Sequence, residues 1–83
     1  MRVITSIKTR KGTTVIDWQA GNSKQHILDI LETVVREHKS EGIKRVKISI
    51  YHNRRWIKFS GTPDAVKRQI EEVMSNEEKE GTI

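Results

Sequence analysis

The spacing of the apolar residues changes three times along this chain of 83 residues. Two stretches rich in β-branched residues, typical of strand pairs, are each followed by a stretch in which apolar residues recur every three or four positions, as in an amphipathic helix. The pattern predicts the order ββαββα. Because each strand has one apolar face and each helix one apolar stripe, we expect an α+β two-layer sandwich. In this fold two helices pack on one face of a four-stranded, mainly antiparallel sheet, and the strand order stays open.

The first strand pair covers Arg2 to Lys8 and Thr13 to Gln19, and Gly12 between them suits a tight turn. With Lys11 and Gly12 as the turn, the core side pairs Ile7 with Ile16, Thr5 with Trp18 and Val3 with Ala20. The opposite side then carries Ile4, Ser6, Lys8, Val15 and Asp17. We therefore expect Trp18 in the core rather than on a binding surface.

The first helix is predicted from about Lys24 to Ser40 by the three-and-four spacing of its apolar residues. Residues 21–23 break the preceding strand and offer an N-cap. Gly42 suits the left-handed conformation just past a helix end.

The second strand pair shows strict alternation, in which Val46, Ile48 and Ile50 point to one face. With Asn53 and Arg54 as the turn, the buried face pairs Ile50 with Ile57 and Ile48 with Phe59, and the outer face pairs Tyr51 with Trp56 and Ser49 with Lys58. The pattern predicts a clean separation of the two faces.

The second helix is expected to begin with Thr62 as its cap and Pro63 in its first turn. Its apolar stripe consists of Val66, Ile70, Val73 and Met74. Beyond Ser75 this stripe ends. We therefore expect one α+β domain over residues 1–75 and a frayed, charged tail over residues 76–83.

The composition excludes several classes of protein. The chain has no cysteine, which removes disulfides, thiolate metal sites and thiol catalysis. No apolar run approaches the roughly 20 residues that span a bilayer, and the first residues lack the apolar region of a signal peptide. We expect a soluble protein and a monomer, cytoplasmic if natural and otherwise recombinant, with no membrane partner.

No catalytic constellation is recognisable. His26, His38 and His52 lack the spacing of metal ligands, and Asp29 with Glu32 fits a solvated helix face. The glycines are isolated and form no phosphate-binding loop. We therefore expect no enzymatic activity, no metal and no cofactor.

Charge is distributed unevenly between the strand pairs and the helices. Residues 1–11 carry four basic and no acidic side chains, and residues 42–60 carry six basic and none acidic, whereas the rest of the chain holds six basic and eleven acidic ones. Cations interleaved with aromatic rings on an open sheet are what a single-stranded nucleic acid platform requires. The candidate binding residues are Arg10, Lys11, Arg45, Lys47, Tyr51, Arg54, Arg55, Trp56 and Lys58.

The same residues also fit a surface without a ligand. A sheet covered on one side must present polar groups to water on the other, and Tyr51 opposite Trp56 is a stabilising cross-strand pair. Basic residues on edge strands also deter association between sheets. We weigh this interpretation somewhat above nucleic acid binding.

Two junctions of the chain resemble those of computationally designed α/β proteins. They are the segment from Glu41 to Ile50, which links a helix to a strand, and the segment from Gly61 to Val66, which links a strand to a helix. Local and global signals agree along almost the whole chain, as in a sequence chosen to fold. This resemblance implies a de novo or redesigned scaffold.

The overall order also resembles that of the translation initiation factor 1 and YciH family. The similarity is topological, spans residues 2–74, and includes Thr13-Thr14-Val15 and the strand ending at Gly61. It implies binding to the small ribosomal subunit, with Arg10 and Lys11 of the basic first hairpin as the expected contact. The leading hypothesis is therefore a stand-alone designed scaffold without evolved activity, and the alternative is an RNA-binding or ribosome-associated module that uses the basic sheet face.

Overall fold

The computed structural model describes residues 1–19 and 23–81, with side chains for all of these except residues 76–81. The elements follow the order β1 (Arg2–Thr9), β2 (Gly12–Gln19), α1 (Lys24–His38), a short 3-10 turn (Lys39–Glu41), β3 (Ile43–His52), β4 (Arg55–Gly61) and α2 (Pro63–Gly81). The strands form one antiparallel sheet in the order β2-β1-β3-β4. The predicted α+β class and ββαββα order are confirmed.

Both helices pack on the same face of the sheet. Helix α1 lies against β1, and α2 lies against β3 and β4. The interior between the two layers is apolar and consists of Val3, Ile7, Ile27, Ile30, Leu31, Val34, Val46, Ile48, Ile50, Phe59, Val66, Ile70 and Met74. Strand β2 contributes no fully buried apolar side chain; Trp18 packs only partly against this core.

The first hairpin turns earlier than predicted. Thr9 pairs with Gly12, so Arg10 and Lys11 form the turn. The Thr9 hydroxyl accepts a hydrogen bond from the Lys11 backbone N–H at 3.1 Å, which fixes the chain reversal at this point. Gly12 is the first residue of β2 and has a φ of 129°, which side chains rarely allow.

The predicted register of this hairpin is therefore wrong by two residues. Val3 faces Trp18, Thr5 faces Ile16 and Ile7 faces Thr14. A shift of two keeps every side chain on its predicted face, because the side-chain period of a strand is two. The predicted partner of Val3, Ala20, lies outside the described residues.

Helix α1 begins and ends through local chemistry. The Ser23 hydroxyl accepts a hydrogen bond from the His26 backbone N–H at 3.2 Å, as an N-cap should. The regular helix ends at His38, two residues before the predicted end, and continues as the 3-10 turn. Gly42 then takes the expected left-handed conformation, with a φ of 74°.

The second hairpin has the predicted register. Ile50 pairs with Ile57, Tyr51 with Trp56, and His52 with Arg55, which leaves Asn53 and Arg54 as the turn. Both turn residues have positive φ values, as a two-residue turn that follows the twist of the strands requires.

Helix α2 begins as predicted and extends further than its apolar stripe. The Thr62 hydroxyl accepts a hydrogen bond from the Ala65 backbone N–H at 3.2 Å. The backbone is helical to Gly81, beyond Ser75. The division into a domain and a charged, frayed tail over residues 76–83 stays a prediction.

Candidate nucleic-acid interface

The outer face of the sheet, opposite the helices, is ordered in rows because β1 lies beside β3. Arg2 stands opposite Tyr51, Ser6 opposite Lys47, and Lys8 opposite Arg45. Strand β4 extends these rows with Trp56 beside Tyr51 and Lys58 beside Ser49. Successive rows are about 7 Å apart, since side chains on one face are two residues apart along a strand.

An aromatic pair lies at one end of this face. The ring centroids of Tyr51 and Trp56 are 5.2 Å apart, and the rings are tilted by 53°. The two residues are 42% and 44% exposed, so part of each ring is open to solvent. A base can therefore stack on either ring, although the same contact also stabilises the hairpin.

A shallow cationic depression of about 180 Å³ lies towards the other end of the face. It is lined by Ser6, Lys8, Thr13, Arg45 and Lys47. Three ammonium or guanidinium groups and two hydroxyls surround it, and no carboxylate does. Such a set of donors suits a phosphate group.

Two of these cations lie where electrostatic repulsion between them destabilises the sheet. Lys8 and Arg45 are directly opposite each other on neighbouring strands, where like charges repel. The Arg45 guanidinium donates a hydrogen bond to the Ser60 hydroxyl at 3.2 Å, which draws it towards β4. Their proximity strengthens the positive potential above the depression.

One carboxylate shares the outer face within the described strands, and it is paired. Asp17 accepts hydrogen bonds from the Arg2 guanidinium, the shortest at 2.7 Å. These hydrogen bonds hold the pKa of Asp17 below its ordinary value and raise that of Arg2. Asp17 is therefore anionic at neutral pH and its charge is balanced locally.

The nine residues predicted to form the interface are not all on this face. Arg45, Lys47, Tyr51, Trp56 and Lys58 share it, as expected. Arg54 occupies the adjoining turn, whereas the register places Arg55 on the helix side of the sheet.

Arg10 and Lys11 lie at the opposite end of the sheet from Arg54, in the β1–β2 turn. The Arg10 side chain packs over Gly42, and its backbone N–H donates to the Glu41 carbonyl at 3.3 Å. Arg10 therefore helps to hold the turn against the start of β3. A side chain on Gly42 would collide with it.

Lys8, Ser6 and Thr13 are missing from the predicted interface although they line the depression. Their alternation within the first hairpin indicates that they face outward, but only the adjacency of β1 and β3 brings them to Arg45 and Lys47. Local sequence does not encode that adjacency. These three residues could have been predicted only if the strand order of the sheet had been known.

A second depression, of about 330 Å³, lies between the two helices. Leu28, Leu31 and Val35 form its apolar floor, and its charged rim contains Glu32, Asp64, Lys67 and Glu71.

Among the described residues, no group of three or more histidine and acidic side chains is placed to hold a metal ion. Neither helix, over the same residues, is long and apolar enough to cross a membrane.

Comparison with known proteins gives no family assignment. No family model matches the chain, and neither a curated protein nor a solved structure matches it. The two resemblances of the sequence therefore stay predictions.

Proposed function

We propose that this chain is a stand-alone folded scaffold, designed or redesigned, without an evolved biochemical activity. One observation carries the proposal: local signals and tertiary structure agree at successive junctions. The Ser23 and Thr62 caps and Gly42 all lie where the chain changes direction. Agreement across levels is typical of sequences selected only for folding.

Thermal unfolding tests the scaffold proposal. Idealised sequences are typically hyperstable, so we expect a midpoint above about 90 °C by circular dichroism. A midpoint in the range of about 45 to 65 °C, where domains of mesophiles cluster, would contradict the proposal.

A second candidate function is the binding of single-stranded RNA, alone or as part of a ribosome. It is favoured by the cationic depression, where Lys8 and Arg45 lie opposite each other on neighbouring strands. Like charges directly opposite each other on neighbouring strands do not stabilise the sheet. The depression would take a phosphate, and Tyr51 and Trp56 would stack on bases further along the strand.

The RNA candidate is tested by titrating a fluorescently labelled single-stranded RNA at several salt concentrations. Removal of one phosphate contact should reduce the slope of log affinity against log salt by about 0.7 for a single strand. We therefore expect Lys47→Gln to reduce the slope. Its matched control is Lys67→Gln, which removes one exposed cation from helix α2 on the other side of the molecule.

The aromatic pair gives a separate readout. Loss of a stacked base costs about 1 to 3 kcal/mol by alanine substitution, so Tyr51→Ala with Trp56→Ala should weaken binding at least tenfold. Equal effects of Lys47→Gln and Lys67→Gln, together with no effect of the aromatic substitutions, would mean that the net charge attracts RNA without a site. That outcome would remove the RNA candidate and leave the scaffold proposal.

A further inference from the structure

The two edges of the sheet differ in their protection against pairing with another chain. Strand β4 carries Arg55 and Lys58, and the Gln69 side chain donates a hydrogen bond to the Ser60 carbonyl on this strand at 3.3 Å. Cations on an edge strand and groups that cover its backbone both hinder strand addition. Strand β4 is therefore a protected edge.

Strand β2 has none of these devices. Its eight residues, Gly12–Gln19, include no lysine, arginine or proline, and its single charge, Asp17, is neutralised by Arg2. Neither helix packs closely against it. The run from Thr13 to Ile16 is entirely β-branched, the composition that most favours strand pairing.

Apolar surface accompanies this open backbone. Val15 is 63% exposed on the outer face, and Ile16 and Trp18 are half-buried on the helix side. A strand added beside β2 would cover all three side chains. The edge therefore offers both hydrogen-bonding groups and apolar area, the two components of recognition by strand addition.

We infer that β2 is a self-association edge, at which two copies of this chain join their sheets by antiparallel β2–β2 pairing. The inference is independent of either proposed function. Because each copy has one open and one protected edge, pairing of the open edges closes a two-fold dimer and leaves no open edge for further growth.

The sequence of β2 favours one register, centred on Val15. Antiparallel pairing about Val15 places it opposite Val15 of the second copy, and places Thr14 opposite Ile16. In this register outward-facing residues of one copy lie opposite outward-facing residues of the other, so the helices of both copies lie on the same side of the joined sheet. Val15, the most exposed large apolar residue among the described residues, is thereby buried at the two-fold axis.

Charge complementarity is satisfied in this register and also in one centred on Thr14, where Asp17 would lie directly opposite Lys11 of the second copy. In the register centred on Val15, Asp17 faces Thr13 of the second copy and is a diagonal neighbour of Lys11 of that copy, within reach of its long side chain. This contact occurs twice by symmetry. Centring the pairing on Asp17 would instead oppose two carboxylates, and centring it on Ile16 would bring no cation to Asp17.

The test is the molar mass of the intact chain, measured by sedimentation over a wide range of protein concentration. We expect the mass to rise from one chain to a plateau at two. Val15→Lys places two ammonium groups opposite each other at the axis, so this variant should remain monomeric. The matched control, Ser49→Lys, adds the same charge to the same face on an inner strand and should associate like the parent chain.

Circular dichroism shows whether the variant is still folded, and amide hydrogen exchange shows whether association takes place at β2. Val15→Lys should have the same helix and strand content as the parent chain, and β2 amides should become more protected with concentration in the parent chain but not in the variant. A parent chain that stays monomeric would overturn the inference. So would association that survives Val15→Lys, or a mass that grows beyond two chains.

Discussion

Thr5 lies buried on the helix side of β1, where its hydroxyl is a hydrogen-bond partner of the Trp18 indole. The indole N–H donates to the Thr5 Oγ1 at 3.0 Å, and that hydroxyl also lies 3.5 Å from the Ile16 carbonyl. Thr5→Val keeps the shape and removes the acceptor. We expect a loss of about 1 to 3 kcal/mol of unfolding free energy, because the partly buried indole N–H is left unsatisfied.

Urea unfolding of a double-mutant cycle measures this contribution. The matched background is Trp18→Phe, which has no N–H to satisfy. Thr5→Val should cost clearly less in that background than in the parent chain. Equal costs in the two backgrounds would mean that the hydroxyl matters for packing alone.

Asp17 links stability to pH at a single exposed position. Since the Arg2 guanidinium lowers the pKa of Asp17 in the folded state, the ion pair stabilises the fold above the ordinary pKa of the carboxyl. That stabilisation is lost as the pH falls through the lowered pKa. We expect Asp17→Asn to be slightly less stable than the parent chain at neutral pH and equally stable in strong acid.

The urea midpoints of the two proteins across this pH range provide the measurement. Added salt should shrink the difference at neutral pH, because both partners are exposed. A difference that persists unchanged in strong acid would show that the substitution acts through something other than the charge.

At the scale of elements, the β3–β4 turn carries strain that one substitution should release. Arg54 has a φ of 62°, a conformation that costs a residue with a side chain roughly 1 kcal/mol or more, whereas glycine adopts it freely. We expect Arg54→Gly to raise the unfolding free energy by up to about 1 kcal/mol, since Asn-Gly is the preferred sequence for this turn.

Arg54→Ala is the matched control for Arg54→Gly. It removes the same charge but keeps a side chain at positive φ. Arg54→Gly should therefore have a higher urea midpoint than Arg54→Ala, and the dependence of the unfolding free energy on urea concentration should be the same in both variants. If alanine stabilises as much as glycine, charge repulsion at the tip, rather than backbone strain, limits the stability of this turn.

The two hairpins show how far local signals predict an element. The second register was predictable because Asn53 tolerates a left-handed backbone and the alternation of Ile48 and Ile50 is strict. The first was missed by two residues because Gly12 suits either the turn or the first position of a strand. The faces were still right, since an even shift keeps the side chains on their sides.

At the scale of the molecule, the candidate site depends on which strands are neighbours. The sequence predicted the outward cations of β3 and β4 because those strands form one hairpin. It could not place Lys8 beside Arg45, since the β1–β3 pairing joins residues far apart along the chain. Three of the five residues that line the cationic depression, Ser6, Lys8 and Thr13, therefore reach it through topology rather than local pattern.

The interior predicts that the whole molecule unfolds as one unit. Buried side chains from β1, β3, β4 and both helices form a single cluster, and β2 is joined to β1 by eight residue pairs and by the Trp18 indole. Trp18 and Trp56 lie on opposite edge strands, so each reports on one edge. Small domains with a shared core usually unfold in one cooperative transition.

Two variants with a single tryptophan test this cooperativity. Trp56→Phe leaves Trp18 on β2 as the reporter, and Trp18→Phe leaves Trp56 on β4. Within each variant, the urea transition followed by tryptophan fluorescence should coincide with that followed by circular dichroism, because loss of either edge exposes the common core. Comparing two probes in the same variant removes the effect of the substitution on stability. If the Trp18 signal changes at a lower urea concentration than the helical signal, β2 separates before the core unfolds. The molecule would then not unfold as one unit.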